Sequence, residues 1–387
     1  MYSARNFTIF EPNMKNNRLM KYNWQLPEWP MFSFETTDVQ PLILEFAKET
    51  GEINGIIQGL PNHLKQETLL QLMMSEALKT SEIEGEYISR EDVISSLRNN
   101  LGLNDMPVSV KDRRATGIAQ LMTEVRKSFQ EPLTINTLKT WHGMLMAGTR
   151  NINPGDWREG NAPMHVISGA VGREVVHFEA PPSEKVLAEM KAFIEWYNSA
   201  IFPLKGEIAE GVLKSAIAHL YFESIHPFED GNGRIGRAVA EKALSQSLNR
   251  PVMLSLSKTI EKNKEDYYNA LKEAQRSLNI TSWITYFTLV ILDAQRDAKS
   301  MVQFTLKKAQ FFDRYKDKLN ERQSKAVLKI MEQGVDGFEG GMTARKYMSI
   351  TRVSKATATR DLQQLYDLGV FTRDGGGRSV RYQLNFD

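Results

Sequence analysis

The chain has 387 residues, 41% of them hydrophobic and 25% charged, which is the make-up of folded globular protein and a length that calls for two or three domains. It has no cysteine, which excludes disulfides, thiolate metal sites and cysteine nucleophiles, so any chemistry must come from His, Asp, Glu, Arg, Ser or a bound metal. The formal net charge of +2 is too small to mark the whole molecule as nucleic-acid binding.

The opening stretch, MYSARNFTIFEPNMKNNRL, lacks a charged start followed by an apolar segment, and no run is long enough to span a bilayer. The expected location is therefore cytoplasmic, with no membrane partner. Up to about Pro41 the chain is rich in Trp, Pro and Asn, as in YNWQLPEWP, and reads as an extended segment whose aromatics anchor it to a body. From Pro41 to about Ser96 apolar residues recur at helical spacing, for example Leu69, Leu72, Met73 and Ala77. One helix there is expected to stop at Glu84-Gly85, with glycine just past the end. A second helical tract begins near Val110, and Thr134 is placed to cap the helix in PLTINTLKTWHGML.

Residues 165–180, HVISGAVGREVVHFEA, alternate β-branched residues around a Gly-rich centre and predict a β-hairpin, ended by Pro181 and Pro182. Helices follow in SEKVLAEMKAFIEWYN, at about Glu207 to Ser224, Arg234 to Leu248, through YYNALKEAQ, and from Ser282 towards Phe312. The last part predicts helices at Asn320 to Glu332, Thr343 to Met348 and Ser354 to Leu368, then two short strands in GVFTRDGGGRSVRYQL. That order is a winged helix-turn-helix pattern. The fold class is thus mostly α, with three regions at 1–105, 106–312 and 313–387.

The chemical centre is HPFEDGNGRIGR, from His226 to Arg237, a glycine-flanked turn set directly before a helix whose first turns carry arginines. Arginines oppose the helix dipole there, so a sequence that keeps them suits an anion. Gly231 and Gly233 allow a phosphate to approach the backbone N–H groups. Asp230 is a hard oxygen ligand suited to Mg²⁺ between phosphates, and Arg234 and Arg237 can neutralise phosphate oxygens. His226 can take a proton from a hydroxyl. Taken alone, a His-Pro turn with a surface Asp/Arg cluster would also fit; the whole string favours a phosphoryl-transfer site.

This string resembles the motif HPFx(D/E)GNGRxxR of the Fic family at every defined position, and the resemblance extends over about Met106 to Asp297. It implies a Fic-type helical core with the hairpin as a flap, and a protein adenylyltransferase, a nucleotidyltransferase moving AMP from ATP to a Ser, Thr or Tyr hydroxyl of a target protein. His226 is implied as the base, Asp230 as the Mg²⁺ ligand, and Gly231, Asn232 and Gly233 as the phosphate cradle. Arg234 and Arg237 are implied at the β and γ phosphates. Ile235 and Gly236, inside the same string, belong to the implied nucleotide-binding set, while Phe228 is a core anchor. From the flap, Val176, His177, Phe178 and Glu179 are implied contacts to nucleotide and to an extended target segment; a plain structural hairpin is the other reading of those side chains. Tyr267 and Gln275 lie eight apart on one helix face and are candidates for the adenosine pocket, although Tyr267 and Tyr268 fit core and rim equally well.

Upstream, TSEIEG from Thr80 to Gly85 matches the family's inhibitory pattern (S/T)xxxE(G/N), which implies Glu84 as a built-in brake on Arg237. His63, His142, His165 and His219 show no ligand-like spacing and read as structural. Partners implied are ATP, the target protein, the chain itself by automodification, and a homodimer. Residues 320–387 hold 11 Lys plus Arg against 8 Asp plus Glu, and Ser354, Lys355, Thr357, Thr359, Arg360, Arg378 and Arg381 are placed as in a DNA reader. DNA or a docked protein thus both fit the C-terminal module. Transfer of UMP, phosphocholine or phosphate on the same fold is the rival chemistry.

Overall fold

A computed structural model of the chain describes residues 21–149, 152–168, 175–332, 338, 340–375 and 380–386. The stretch before residue 21, the Gly-rich centre of the predicted hairpin and Arg378 lie outside the described residues. The helices are α1 Val39–Gly59, α2 Asn62–Ile83, α3 Arg90–Asn100, α4 Arg113–Lys127, α5 Ile135–Met146, α6 Val186–Ser199, α7 Glu207–Ile225, α8 Asn232–Ser247, α9 Leu256–Lys262, α10 Lys264–Ala274, α11 Thr281–Tyr315, α12 Glu321–Met331, α13 Ala344–Thr351 and α14 Lys355–Asp367. Strands β1 His165–Ser168 and β2 Val175–Glu179 form one antiparallel pair, and β3 Phe371–Asp374 and β4 Arg381–Leu384 another. The chain divides into two compact units, Met1–Gly51 with Leu69–Ala298, and Glu52–Thr68 with Lys299–Asp387.

In the first unit α7 carries apolar residues on every side and is buried along nearly all of Gly211–Ile225; a helix without a continuous polar face belongs inside a core. α4, α5, α6 and α8 pack round it through Ile118, Leu138, Phe193, Phe222 and Val239. Ser215 Oγ donates to the Ala240 carbonyl at 2.8 Å, tying α7 to α8. Thr134 caps α5 as its sequence predicts, accepting from the Thr137 N–H at 3.0 Å. The N-terminal aromatics are anchors: Trp24 Nε1 donates to the Glu179 carbonyl at 2.7 Å and Trp29 Nε1 to Glu189 at 2.9 Å.

The second unit has its own core, including Phe311, Val327, Ile330, Tyr347, Leu362, Leu365, Phe371 and Tyr382. Asn320 and Gln323 form a capping box at the start of α12. β3 and β4 pair in register from Phe371 opposite Leu384 to Asp374 opposite Arg381.

Candidate active site

α7 stops where Pro227 follows, since proline cannot continue a helix. His226 is its C-cap and holds a left-handed backbone, φ 51° and ψ 60°, which is uncommon for a residue other than glycine. Arg158 fixes that backbone: Nε donates to the His226 carbonyl at 2.8 Å, while the guanidinium also reaches the carbonyls of Ile225 and Pro181 and the Ser183 hydroxyl. Next, Phe228 is fully buried and stacks on His142, ring centroids 3.9 Å apart. The Asn232 side chain then closes the turn in both directions, accepting from the Phe228 N–H at 2.9 Å and donating to the Phe228 carbonyl at 2.8 Å. Gly231 begins α8 with φ 79°, and a Cβ there would overlap Met146. The helix N-terminus is thereby aimed into an open cavity.

That cavity, about 260 Å³, is lined by His226, Asp230, Gly231, Asn232, Gly233 and Arg234 together with Glu84, His177, Phe178, Tyr267 and Gln275. It is near the lower bound of ordinary ligand pockets, which run about 300–1,000 Å³. Arg237 stands behind Glu84 with its side chain 1% exposed. Ile235 and Gly236, in contrast, do not line the cavity. Ile235 is fully buried in the core, and a Cβ on Gly236 would overlap Glu223 Oε1. The helical period explains the difference: positions 234 and 237 share a face, and the side-chain positions of 235 and 236 turn away from it. Val176 is exposed and Glu179 pairs with His165 at 3.2 Å, and neither lines the cavity. Phe178 lines it from a buried position, edge-on to Tyr22.

The arrangement on α2 follows from its spacing, because Glu76, Thr80 and Glu84 lie four apart and share a face. Glu76 accepts from Ser255 Oγ at 2.7 Å, from the Ser257 N–H at 2.9 Å and from Ser257 Oγ, docking α2 on the start of α9. Thr80 Oγ1 then accepts from Arg237 Nε at 2.8 Å, and Glu84 Oε1 from Arg237 Nη2 at 2.7 Å. Burial works against the Arg237 charge, but the Glu84 carboxylate together with Tyr267 and Tyr268 outweighs it and the guanidinium pKa is raised. A Cβ on Gly233 would overlap Glu84 Oε1, so only glycine at 233 lets the carboxylate sit there.

Three side chains that sequence reasoning missed complete the site. Glu86 accepts from Arg234 Nη1 at 2.6 Å, so both arginines of the string face a carboxylate from the same short segment. Arg158 holds the His226 peptide. Glu223, one turn before His226 on α7, is buried with Oε2 3.7 Å from His226 Nδ1, too far for a hydrogen bond, and its Oε1 has no partner. Burial pushes the Glu223 carboxyl up to about 8. Burial, with the Arg158 charge adding to it, pushes His226 down to about 3, so the imidazole is neutral at pH 7. Tyr267 donates to or accepts from His219 at 2.9 Å, and Gln275 Nε2 donates to the Glu223 carbonyl at 3.2 Å. Asp230 accepts from the Gly231 N–H at 2.6 Å and lies 3.5 Å from Arg234. No cluster of three or more His, Cys, Asp or Glu suited to a metal occurs among the described residues.

Residues 132–244 match the family model described as Fic/DOC family, and residues 22–103 match one described as a domain of unknown function, DUF4172. A probable protein adenylyltransferase of Aquifex aeolicus is 33% identical over 98 residues, which is 25% of this chain and 27% of that protein. A protein adenylyltransferase of Caenorhabditis elegans is 23% identical over 225 residues, 55% of this chain and 40% of that one. The chain thus matches less than half the length of either relative. Among solved structures, a Fic family protein from Desulfovibrio desulfuricans shares the fold at TM-score 0.52 and 20% identity, covering 92% of this chain and 98% of its own. The chain therefore carries a Fic/DOC family domain at residues 132–244, the segment that contains His226 and the turn before α8.

Proposed function

We propose that this protein transfers AMP from ATP to a Ser, Thr or Tyr hydroxyl of a target protein, and that Glu84 holds the reaction back. The observation that carries the reading is one cavity joining a neutral histidine, a helix N-terminus with two arginines behind it, and an aromatic wall. The target hydroxyl gives its proton to His226, its oxygen bonds to the α phosphorus, and the bond to the leaving pyrophosphate breaks. Burial keeps the imidazole unprotonated before the step, and the nucleotide's negative charge favours the imidazolium that forms. The N–H groups of 231–234, with Arg234 and Arg237, neutralise phosphate oxygens.

A Mg²⁺ ion fits Asp230, which puts a hard carboxylate at the cavity beside the phosphate cradle; this ion characteristically takes one or two carboxylates and leaves its other positions to phosphates and water. It would supply charge neutralisation on those phosphates. Tyr267 and Gln275 form the adenosine side of the pocket. The sheet of β1 and β2 has two strands, so an extended target segment can add to the edge of β2 through main-chain bonds.

Glu84 on Arg237 removes the second guanidinium from the phosphates, and Glu86 on Arg234 does the same for the first. Both contacts must open for a full set of phosphate contacts. Mass spectrometry after incubation with Mg²⁺ and ATP tests the reading: the protein or a trapped target gains one AMP. A gain of UMP, phosphocholine or phosphate from the corresponding donor, with none from ATP, contradicts it.

A further inference from the structure

In the second unit, α13 and α14 form two short helices with only residues 352–354 between them. Arg352 turns the chain there in a left-handed conformation, φ 56°, and Ser354 caps α14 by accepting from the Thr357 N–H at 3.3 Å. Asp361, 1% exposed, accepts from Tyr347 Oη at 3.0 Å and from Arg322 Nε at 3.1 Å. α14 is thus locked to α13 and α12 on the face that holds Ala358, Leu362 and Leu365.

The opposite face is Lys355, Ala356, Thr359, Arg360 and Gln363, all exposed and at helical spacing. From Met342 to Tyr366 the sequence has five Lys or Arg and one acid. That acid is the buried Asp361, so the turn and the first two turns of α14 offer cations to solvent and no carboxylate; the exposed Asp367 stands at the far end of α14, where it accepts from Gln363 Nε2 at 2.8 Å. Arg345, Arg352, Lys355 and Arg360 are exposed and enter none of the ion pairs seen among the described residues.

We propose that this face binds double-stranded DNA, with α14 in the major groove. The groove admits one helix, and in this geometry the early residues of the second helix meet base edges. Lys355, Thr359 and Arg360 hold those positions, while Arg345 and Arg352 supply phosphate contacts. A docked protein is the poorer match: interface centres rely on clusters of large apolar and aromatic anchors, and this face carries none from Lys355 to Gln363 and a single exposed aromatic, Tyr366, one turn further on.

The test uses the full-length chain and a fluorescent random-sequence duplex, with binding read by anisotropy over a salt series, followed by selection from a randomised duplex library. The proposal expects binding that weakens linearly on a log–log plot against salt. Arg345→Ala and Arg352→Ala should each make that slope shallower by about 0.9, the share of one neutralised phosphate. Arg360→Ala should flatten the selected sequence preference, and the pair Lys355→Glu with Arg360→Glu should weaken binding at least about tenfold. These side chains are exposed, so circular dichroism should be unchanged in every variant. Absence of binding at about 50 mM salt overturns the proposal. So does binding that the double charge reversal leaves untouched, or duplex DNA displaced equally well by an acidic polypeptide.

Discussion

Arginine is held in two opposite ways in this molecule. On α8, Arg234 and Arg237 are 4% and 1% exposed and each already faces a carboxylate, Glu86 at 2.6 Å and Glu84 at 2.7 Å. On α13, α14 and the turn between them, Arg345, Arg352 and Arg360 are exposed, Asp361 is turned inward and Asp367 lies at the far end of α14. On the proposed function, the first arrangement is a site whose anion contacts are freed before use; on the further inference, the second is open to an anion from the outset. The difference lies in burial. A buried guanidinium needs a partner in every state, so under the proposed function a phosphate takes the place of the carboxylate, whereas an exposed one is stable alone in water.

The largest effect that sharpens this contrast is on His226. His226→Ala should lower AMP transfer by roughly 10²–10⁴-fold with the fold unchanged, because general base catalysis is of that size; full activity of the purified variant contradicts the assignment. Next is Glu84→Gly. Freeing Arg237 for a charge-assisted phosphate contact worth about 1.5–3 kcal/mol should speed automodification roughly ten- to a hundredfold with labelled ATP. Glu86→Gln should act in the same direction but less, roughly two- to fivefold, since the Glu86 carboxylate is 28% exposed and such pairs are screened. A slower Glu86→Gln enzyme at saturating ATP would mean that Glu86 supports the active geometry instead.

The smallest effect concerns pH. The Glu223 carboxyl, raised by burial to about 8 in the folded protein, binds its proton more tightly there than in the unfolded chain. Its contribution is present below the unfolded value of about 4.3 and is lost as pH rises through about 8. The melting temperature of the native protein should therefore fall more steeply between about pH 4 and pH 8, the span between the unfolded and folded values, than that of Glu223→Gln. Parallel curves would remove the role given to Glu223's burial.

Much of the site was legible in the sequence because its chemistry is local. His226, Asp230, the glycines and both arginines lie within twelve consecutive positions, and a turn followed by a helix brings such residues together without help from the rest of the fold. The cap at Thr134 was legible for the same reason, while Asn320 and Ser354 were legible as helix starts without their capping roles. Glu86 was not: its partner is 148 residues away, and a glutamate after Glu84-Gly85 looks like any solvated residue past a helix end. Arg158 sits in a loop and bonds mainly to carbonyls, which leave no side-chain pattern to read. Glu223 had a signal, an acid one turn before the histidine in the mostly apolar second half of its helix. Ile235 and Gly236 were drawn into the site by the continuity of the string, although the helix turns them to the core.

The most direct test of the account is a double-mutant cycle read as ATP binding rather than activity, using the native protein, Glu84→Gly, Arg237→Ala and the double variant with Mg²⁺ in calorimetry. If Glu84 restrains the site by holding Arg237, Glu84→Gly tightens ATP binding in the native background, and the same change has little effect once Arg237 is alanine. Equal tightening in both backgrounds would contradict the account, because Glu84 would then oppose ATP by its own charge and not through the arginine it faces.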